Sequence, residues 1–161
     1  MDTHKAWVQT TFDKGASGYG EKGCGYFAYF GKKLVDLASP QPGDAILDVA
    51  CGRGAVLFPA AQAVGEKGKA VGIDISSQMI EEAKKESPFS WIQLQQMDAE
   101  ELQFQPEAFD VVFSGFCLFF LPNVQKALSE FKRVLKPSGK IAVSVWGDRS
   151  ELDSWFHAKI H

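Results

Sequence analysis

The stretch A-I-L-D-V-A-C-G-R-G, residues 45–54, decides how this chain reads. Five of its first six positions are apolar and only Asp48 is charged, which describes a short strand with no solvent face, the kind buried in a parallel sheet. Behind it, Gly52 and Gly54 let the main chain approach a ligand closely and open the next helix. Asp48 sets a carboxylate beside them.

Strand and helix patterns alternate outward from this stretch. A helix is predicted over 54–64, with Pro59 in its first turns and Gly65 near its end. A second strand follows at 70–73, then a helix capped by Ser76 or Ser77 that reaches Glu86 and stops at Pro88. Strands three and four are read at 91–97 and 109–114. Asn123 caps a helix with Val124, Ala127, Leu128, Phe131, Val134 and Leu135 on its apolar side. The turn Pro137-Ser138-Gly139 leads into a fifth strand at 140–146, and a last helix is read over 150–160. Ahead of all this, 26–38 has helical spacing that ends at Pro40-Gln41-Pro42-Gly43. Six glycines between Gly15 and Gly31 interleave with Tyr19, Tyr26, Phe27, Tyr29 and Phe30, a composition that suits a mobile loop or an aromatic flap.

The expected fold class is α/β: a Rossmann-like, doubly wound, mostly parallel sheet with helices on both faces. Residues 1–40 read as an N-terminal lid or helical segment and 41–161 as the α/β domain. A length of 161 residues with 45% hydrophobic and 23% charged side chains fits one globular domain and excludes disorder, collagen and coiled coil. The net charge of -3 lacks the basic surplus of a nucleic-acid binder. The three cysteines, Cys24, Cys51 and Cys117, sit at neither metal nor redox spacing, so free thiols and a cytoplasmic location are expected, with no metal. Residues 1–11 hold no signal core, and the greasiest stretch, 111–121, is too short for a membrane span.

In open parallel sheets the ligand lies beyond the carboxyl ends of the strands. There the sequence puts Asp48 after strand one, Asp74 after strand two, Asp98-Ala99 after strand three and Ser114-Gly115-Phe116 after strand four. Taken singly, Asp48 reads as a turn cap, Asp74 as a helix cap and Asp98 as a solvated acid. Jointly they converge on one sheet edge. Asp74, twenty residues beyond Gly54, is spaced to hold ribose hydroxyls. A dinucleotide fingerprint fails at its third glycine, which is Leu57, and no P-loop occurs. A ligand carrying an ammonium group suits Asp48 better than a pyrophosphate.

These residues resemble the class I S-adenosylmethionine-dependent methyltransferases. LDVACGRG (47–54) is similar to their motif I, with Ala50 in place of the first glycine; GIDIS (72–76) resembles the acidic loop after strand two, and MDAEEL (97–102) the adenine-contacting segment. FDVVFSGFCLFFLPN (109–123) resembles motif IV, and LKPSGKIAVSVW (135–146) the turn into strand five. Phe12-Asp13-x-x-Ala16-x-x-Tyr19 resembles the start of the ubiquinone/menaquinone-biosynthesis-like subgroup, methyltransferase type 11. The resemblance implies an enzyme that transfers a methyl group in line from S-adenosyl-L-methionine to a small apolar or aromatic molecule, leaving S-adenosyl-L-homocysteine. It implies Asp48 near the methionine ammonium, with Ala50, Gly52 and Gly54 under the methionine and ribose. It puts Asp74 on the ribose, Ile75 and Met79 beside the adenine, and Asp98 and the Ala99 amide on the adenine edge. Ser114 and Phe116 would line the sulfonium end and Tyr19 would close over the cofactor.

No general base stands out. His4, His157 and His161 read as surface residues, Asp13 and Tyr19 as candidates, and Cys51 and Cys117 as packing thiols. The apolar run 116–121 either packs under the following helix or, with Trp146, forms an acceptor wall. The resemblance implies seven strands, whereas the sequence ends within the helix after strand five. The last two strands are therefore expected to be missing, leaving a strand-five edge open to self-association. The alternatives are a non-catalytic cofactor-binding or scaffold domain of this fold and an NAD-dependent oxidoreductase, the latter disfavoured by Leu57 and the strand-end acids.

Overall fold

The computed structural model describes residues 3–20 and 25–147. Helix α1 (Thr3–Gly15) and a 3-10 turn (Ala16–Gly18) precede α2 (Tyr26–Ala38). The alternating part then runs β1 (Ala45–Val49), α3 (Leu57–Val64), β2 (Lys69–Asp74), α4 (Ser77–Glu86), β3 (Ile92–Gln96), β4 (Phe109–Gly115), α5 (Val124–Val134) and β5 (Leu135–Ser144). The five strands form one sheet in the order β3-β2-β1-β4-β5, and every neighbouring pair is parallel. The chain winds outward from β1 through β2 to β3, then crosses back to β4. The switch point therefore lies between β1 and β4, where a crevice opens beyond their carboxyl ends.

Alternation along the central strands divides the core. Ile46, Ala70, Val111 and Phe113 face the layer of α2, α3 and α4, among Leu34, Val35, Leu57, Ala61 and Ile80. Leu47, Val49, Val71, Ile73 and Val112 face the other way, onto Ala127, Phe131 and Val134 of α5. Helices thus cover both faces, as the apolar strands require. Asp48 follows from the same alternation: it points into the α2–α3–α4 side, where its strand neighbours pack apolar side chains.

Several predicted boundaries move. Helix α1 lies within the 1–40 segment read as lid or helical but was not expected as a separate element, because residues 1–11 carry only a faint apolar repeat. Val8 is its single buried residue. β1 ends at Val49 because Ala50 turns into the left-handed region at φ +58°. α3 begins at Leu57 rather than 54, since Gly52 and Gly54 also take positive φ and the intervening residues form a turn. β3 keeps only Ile92–Gln96 and is half-exposed. β5 starts at Leu135, before the predicted turn: Leu135 pairs with Phe109, and pairing resumes at Lys140 with Val111 across a bulge that absorbs Pro137-Ser138-Gly139. It ends at Ser144. The helix read over 150–160 lies outside the described residues.

Helix α2 is locked onto the loop that follows β1. Gly31 is buried in that contact, and a Cβ there would stand 2.2 Å from the Ala55 carbonyl oxygen. Backbone cannot yield as a flexible side-chain tip can. Gly31→Ala is expected to cost about 2 kcal/mol or more, lowering the thermal midpoint by roughly 4–8 °C. Thermal unfolding followed by circular dichroism checks this; an unchanged midpoint contradicts the close packing.

Candidate ligand site at the strand tips

Two cavities meet beyond the tips of β1 and β4. One is lined by Asp74, Ile75, Met79, Asp98, Ala99 and Phe120, and roofed by Lys5, Val8 and Phe12 of α1. The other is lined by Asp48, Cys51, Arg53, Gly54, Phe27 and Ser144. Tyr19, Ala50, Gly52, Gly115 and Phe116 border both.

The turn between them is made by main-chain geometry. Ala50, Gly52 and Gly54 all have positive φ, at +58°, +51° and +93°, and Phe116 on the β4 side has +52°. For alanine and phenylalanine that conformation costs roughly 1–2 kcal/mol each. Strain of this kind gathers where the chain must present a surface to a ligand. The Cys51 N–H donates to Ile73 O at 2.9 Å, and the Gly52 N–H to Asp74 Oδ2 at 2.9 Å, so the loop is tied to the end of β2.

The three acids have three different environments. Asp48 is 1% exposed, and neither of its carboxylate oxygens has a hydrogen-bond partner. The Leu57 N–H points toward it but falls outside hydrogen-bond geometry. Burial pushes its pKa well above the usual carboxylate range, and the charge of Asp74 adds to the effect. Asp48 caps no turn.

Asp74 is 7% exposed and accepts from two main-chain donors, Gly52 N–H at Oδ2 and Ser76 N–H at Oδ1, each at 2.9 Å. Burial raises its pKa and these bonds partly offset the rise. A carboxylate has about four acceptor positions, so each oxygen keeps capacity for a ligand hydroxyl. Asp74 is not the cap of α4: Ser76 is, its Oγ accepting from Met79 N–H at 3.1 Å, and Asp74 holds the N–H of that cap residue from the cavity wall.

Asp98 is half-buried, and both of its oxygens have protein partners. Oδ1 accepts from Glu100 N–H at 2.9 Å, and Oδ2 lies 2.7 Å from the Lys5 ammonium, which also reaches Glu100 at 2.7 Å. Burial opposes the charge on Lys5, but the two carboxylates outweigh it and raise its pKa. α1 is thereby pinned at the Asp98 end of the cavity.

Ser114 is fully buried (0% exposed) and borders neither cavity; Gly115 and Phe116 present that stretch instead. Asp13 borders neither cavity: its Oδ1 accepts from Ser76 Oγ at 2.6 Å and from Gln78 N–H at 3.2 Å, reinforcing the start of α4. Burial raises the Tyr19 pKa. Burial pushes Cys117 up to about 12 and Cys51 well above its ordinary value, so both remain thiols at neutral pH. His4 sits on α1 with Nε2 3.1 Å from Phe120 O. His157 and His161 lie outside the described residues. The run 116–121 divides: Leu118 and Leu121 pack against the core, Phe120 lines the cavity edge-on to Phe12, and Phe119 is 46% exposed. Among the described residues no group of His, Cys, Asp and Glu could hold a metal ion, and no helix is long and apolar enough to cross a membrane.

Lys5, Val8 and Arg53 join the site without having been expected from the sequence. The i, i+4 pair Val8–Phe12, with Lys5 one turn earlier, is the available signal for a helix with one face toward the site.

A methyltransferase-domain family model matches residues 47–143. Aklanonic acid methyltransferase of Streptomyces sp. (strain C5) is 41% identical over 143 residues, covering 87% of this chain and 65% of the relative. The 2-phytyl-1,4-naphtoquinone methyltransferase of Synechocystis sp. is 40% identical over 113 residues, covering 68% of this chain and 48% of the relative. The chain thus spans between about half and two thirds of the length of these relatives. Among solved structures, a SAM-dependent methyltransferase from Aquifex aeolicus superposes with a TM-score of 0.68 at 25% identity, over 81% of this chain and 76% of that one.

The electrostatics of Asp48 predict a pH signature in the ligand-free protein. The folded state holds the Asp48 proton more tightly than the unfolded state, so this group's contribution to stability falls as pH rises from about 4 toward its folded pKa. Asp48→Asn should therefore gain stability relative to wild type over that range. Urea unfolding at several pH values checks this, and a difference that does not change with pH contradicts it.

Proposed function

We propose, since the chain belongs to the methyltransferase-domain family, that the joined cavities bind S-adenosylmethionine and that the protein methylates a small molecule with a flat aromatic ring system. The observation that carries this reading is the buried, unpartnered Asp48 carboxylate facing a cavity. An isolated buried charge is costly, and a cationic ligand group supplies the partner the protein withholds. A dinucleotide pyrophosphate is repelled by the same carboxylate.

The residues fit the cofactor from end to end. Asp48 would take the ammonium, and the main chain at Ala50, Gly52 and Gly54 would lie under the amino-acid and ribose portions. Asp74 would accept from the ribose hydroxyls with its free lone pairs. Ile75, Met79 and Ala99 would bound the adenine, with Asp98 at its edge sharing Lys5. S-adenosylmethionine, when bound, supplies a methyl group on a positively charged sulfur, so the leaving-group chemistry is the cofactor's own.

The chain's task is then alignment and exclusion of water, effects that contribute on the order of 7–11 kcal/mol to a bimolecular transfer. Tyr19, Phe27 and Phe116 close the crevice with aromatic surface. Phe116 lies 4.9 Å from the Trp146 ring and 5.6 Å from Tyr26, and Tyr26 stacks on Trp146 at 5.4 Å. This slab beside the Asp48 cavity supports a flat acceptor, in keeping with a relative named for a naphthoquinone. With Asp13 capping α4 and the cysteines held as thiols, the acceptor brings its own acidic hydroxyl or activated carbon, and Tyr19 stays a protonated hydrogen-bond donor.

Calorimetric titration with S-adenosylhomocysteine tests the cofactor half of the reading. Wild type should bind, and Asp48→Asn should bind about ten- to a hundredfold more weakly, the loss expected of one charge-assisted contact. Absence of binding by wild type contradicts it. For the acceptor half, Trp146→Ala should raise KM for a hydroxynaphthoquinone about tenfold and leave S-adenosylhomocysteine affinity unchanged; binding without any methyl transfer to aromatic acceptors contradicts catalysis and leaves a cofactor-binding module.

A further inference from the structure

Arg53 stands between the two glycines of the β1–α3 loop, and its guanidinium joins two parts of the fold. On one side Nη1 donates to the carbonyl oxygens of Tyr19 at 3.0 Å and Ser17 at 3.1 Å, with a longer contact to Ala16 at 3.4 Å. On the other side Nε donates to Glu86 Oε2 at 3.2 Å, and Nη2 pairs with Glu86 Oε1, on the last residue of α4. The Arg53 side chain is only 14% exposed. These carbonyls lie where α1 and its 3-10 turn run out, a helix end with negative partial charge, and Ala16 O also accepts from Tyr19 N–H at 3.2 Å.

Tyr19 is the next residue after that turn. Its ring stacks on Phe27 at 5.2 Å, meets Phe12 edge-on at 5.9 Å and borders both cavities. Its neighbour across the crevice is Gly52, the residue beside Arg53: a Cβ at Gly52 would lie 4.0 Å from Tyr19 Cε1. One side chain of the ligand-cradling loop therefore holds the main chain that carries the ring opposite that loop.

We propose that Arg53 is a positioning residue: by holding the main chain at Ser17 and Tyr19 it sets the Tyr19 ring as the shared wall of the two cavities, and through that ring it sets cofactor affinity. The proposal rests on the S-adenosylmethionine reading above. The planar fork is needed because it bonds the carbonyl cluster and Glu86 at once; a lysine ammonium serves only one of them well.

The test is a double-mutant cycle on the full chain, with S-adenosylhomocysteine affinity as the readout. Arg53→Met and Tyr19→Ala should each weaken binding about tenfold, and the double variant should be no weaker than Tyr19→Ala alone, because residues that act through one another are not additive. Arg53→Lys should recover part of the loss. A merely structural staple instead gives independent losses, about a hundredfold together, and that result, or unchanged affinity in Arg53→Met, overturns the proposal. Amide hydrogen exchange at residues 17–19 in the ligand-free protein is the second measurement, with Glu86→Gln beside Arg53→Lys in case Arg53→Met fails to fold. Faster exchange than wild type supports the placement of Tyr19 by Arg53, and unchanged exchange overturns it. If wild type binds no S-adenosylhomocysteine, the cofactor reading is what fails, and the exchange rates still decide the positioning claim.

Discussion

A carboxyl group buried under α3 without a hydrogen-bond partner organises this molecule. Asp48 occupies the strand position that faces the α2–α3–α4 layer, where the residue two before it, Ile46, packs as an ordinary core side chain. An aliphatic residue there would remove the burial penalty that the carboxylate carries. The main-chain donors of the next loop are directed elsewhere: Gly52 N–H serves Asp74, Gly54 N–H serves Cys51 O, and Cys51 N–H serves Ile73 O. The loop is thus held open by bonds to β2, its conformation strained at Ala50, while the carboxyl group beneath it is left without a hydrogen-bond partner. Stability is given up at the point where a ligand can restore it.

The N-terminal segment completes the crevice by polar anchors as well as by packing. Lys5 ties the start of α1 to Asp98 and Glu100, Asp13 ties its end to the first turn of α4, and Arg53 ties the following turn to the glycine loop. Between these anchors Val8 and Phe12 lay an apolar surface over the cavity. Each anchor reaches a different strand tip or helix start, so the segment reports on the same edge of the sheet that the three acids occupy.

Much of this is legible in the sequence because it follows from local rules. Apolar runs of four to seven residues separated by capped helices fix a parallel sheet, and the strand-tip acids fall at one edge by topology alone. The rest depends on three-dimensional partners. Asp74 as a tether for Gly52, Asp98 as a partner of Lys5 and Asp13 as a cap on α4 all involve residues more than twenty positions away. α1 is hard to see because a helix that buries one residue has a weak apolar stripe. β5 begins earlier than its sequence suggests because proline and glycine at 137–139 signal a turn, whereas the sheet absorbs them as a bulge. Ser114 belongs to the site by its place at a strand end, but strand alternation turns it inward and presents Gly115 and Phe116.

The most direct measurement is a crystal structure of the full chain with S-adenosylhomocysteine. The ammonium group should lie against Asp48, the ribose against Asp74 and the adenine between Met79 and Ala99 under α1. A ligand seated elsewhere, or one that leaves Asp48 buried and unpartnered as before, would contradict it.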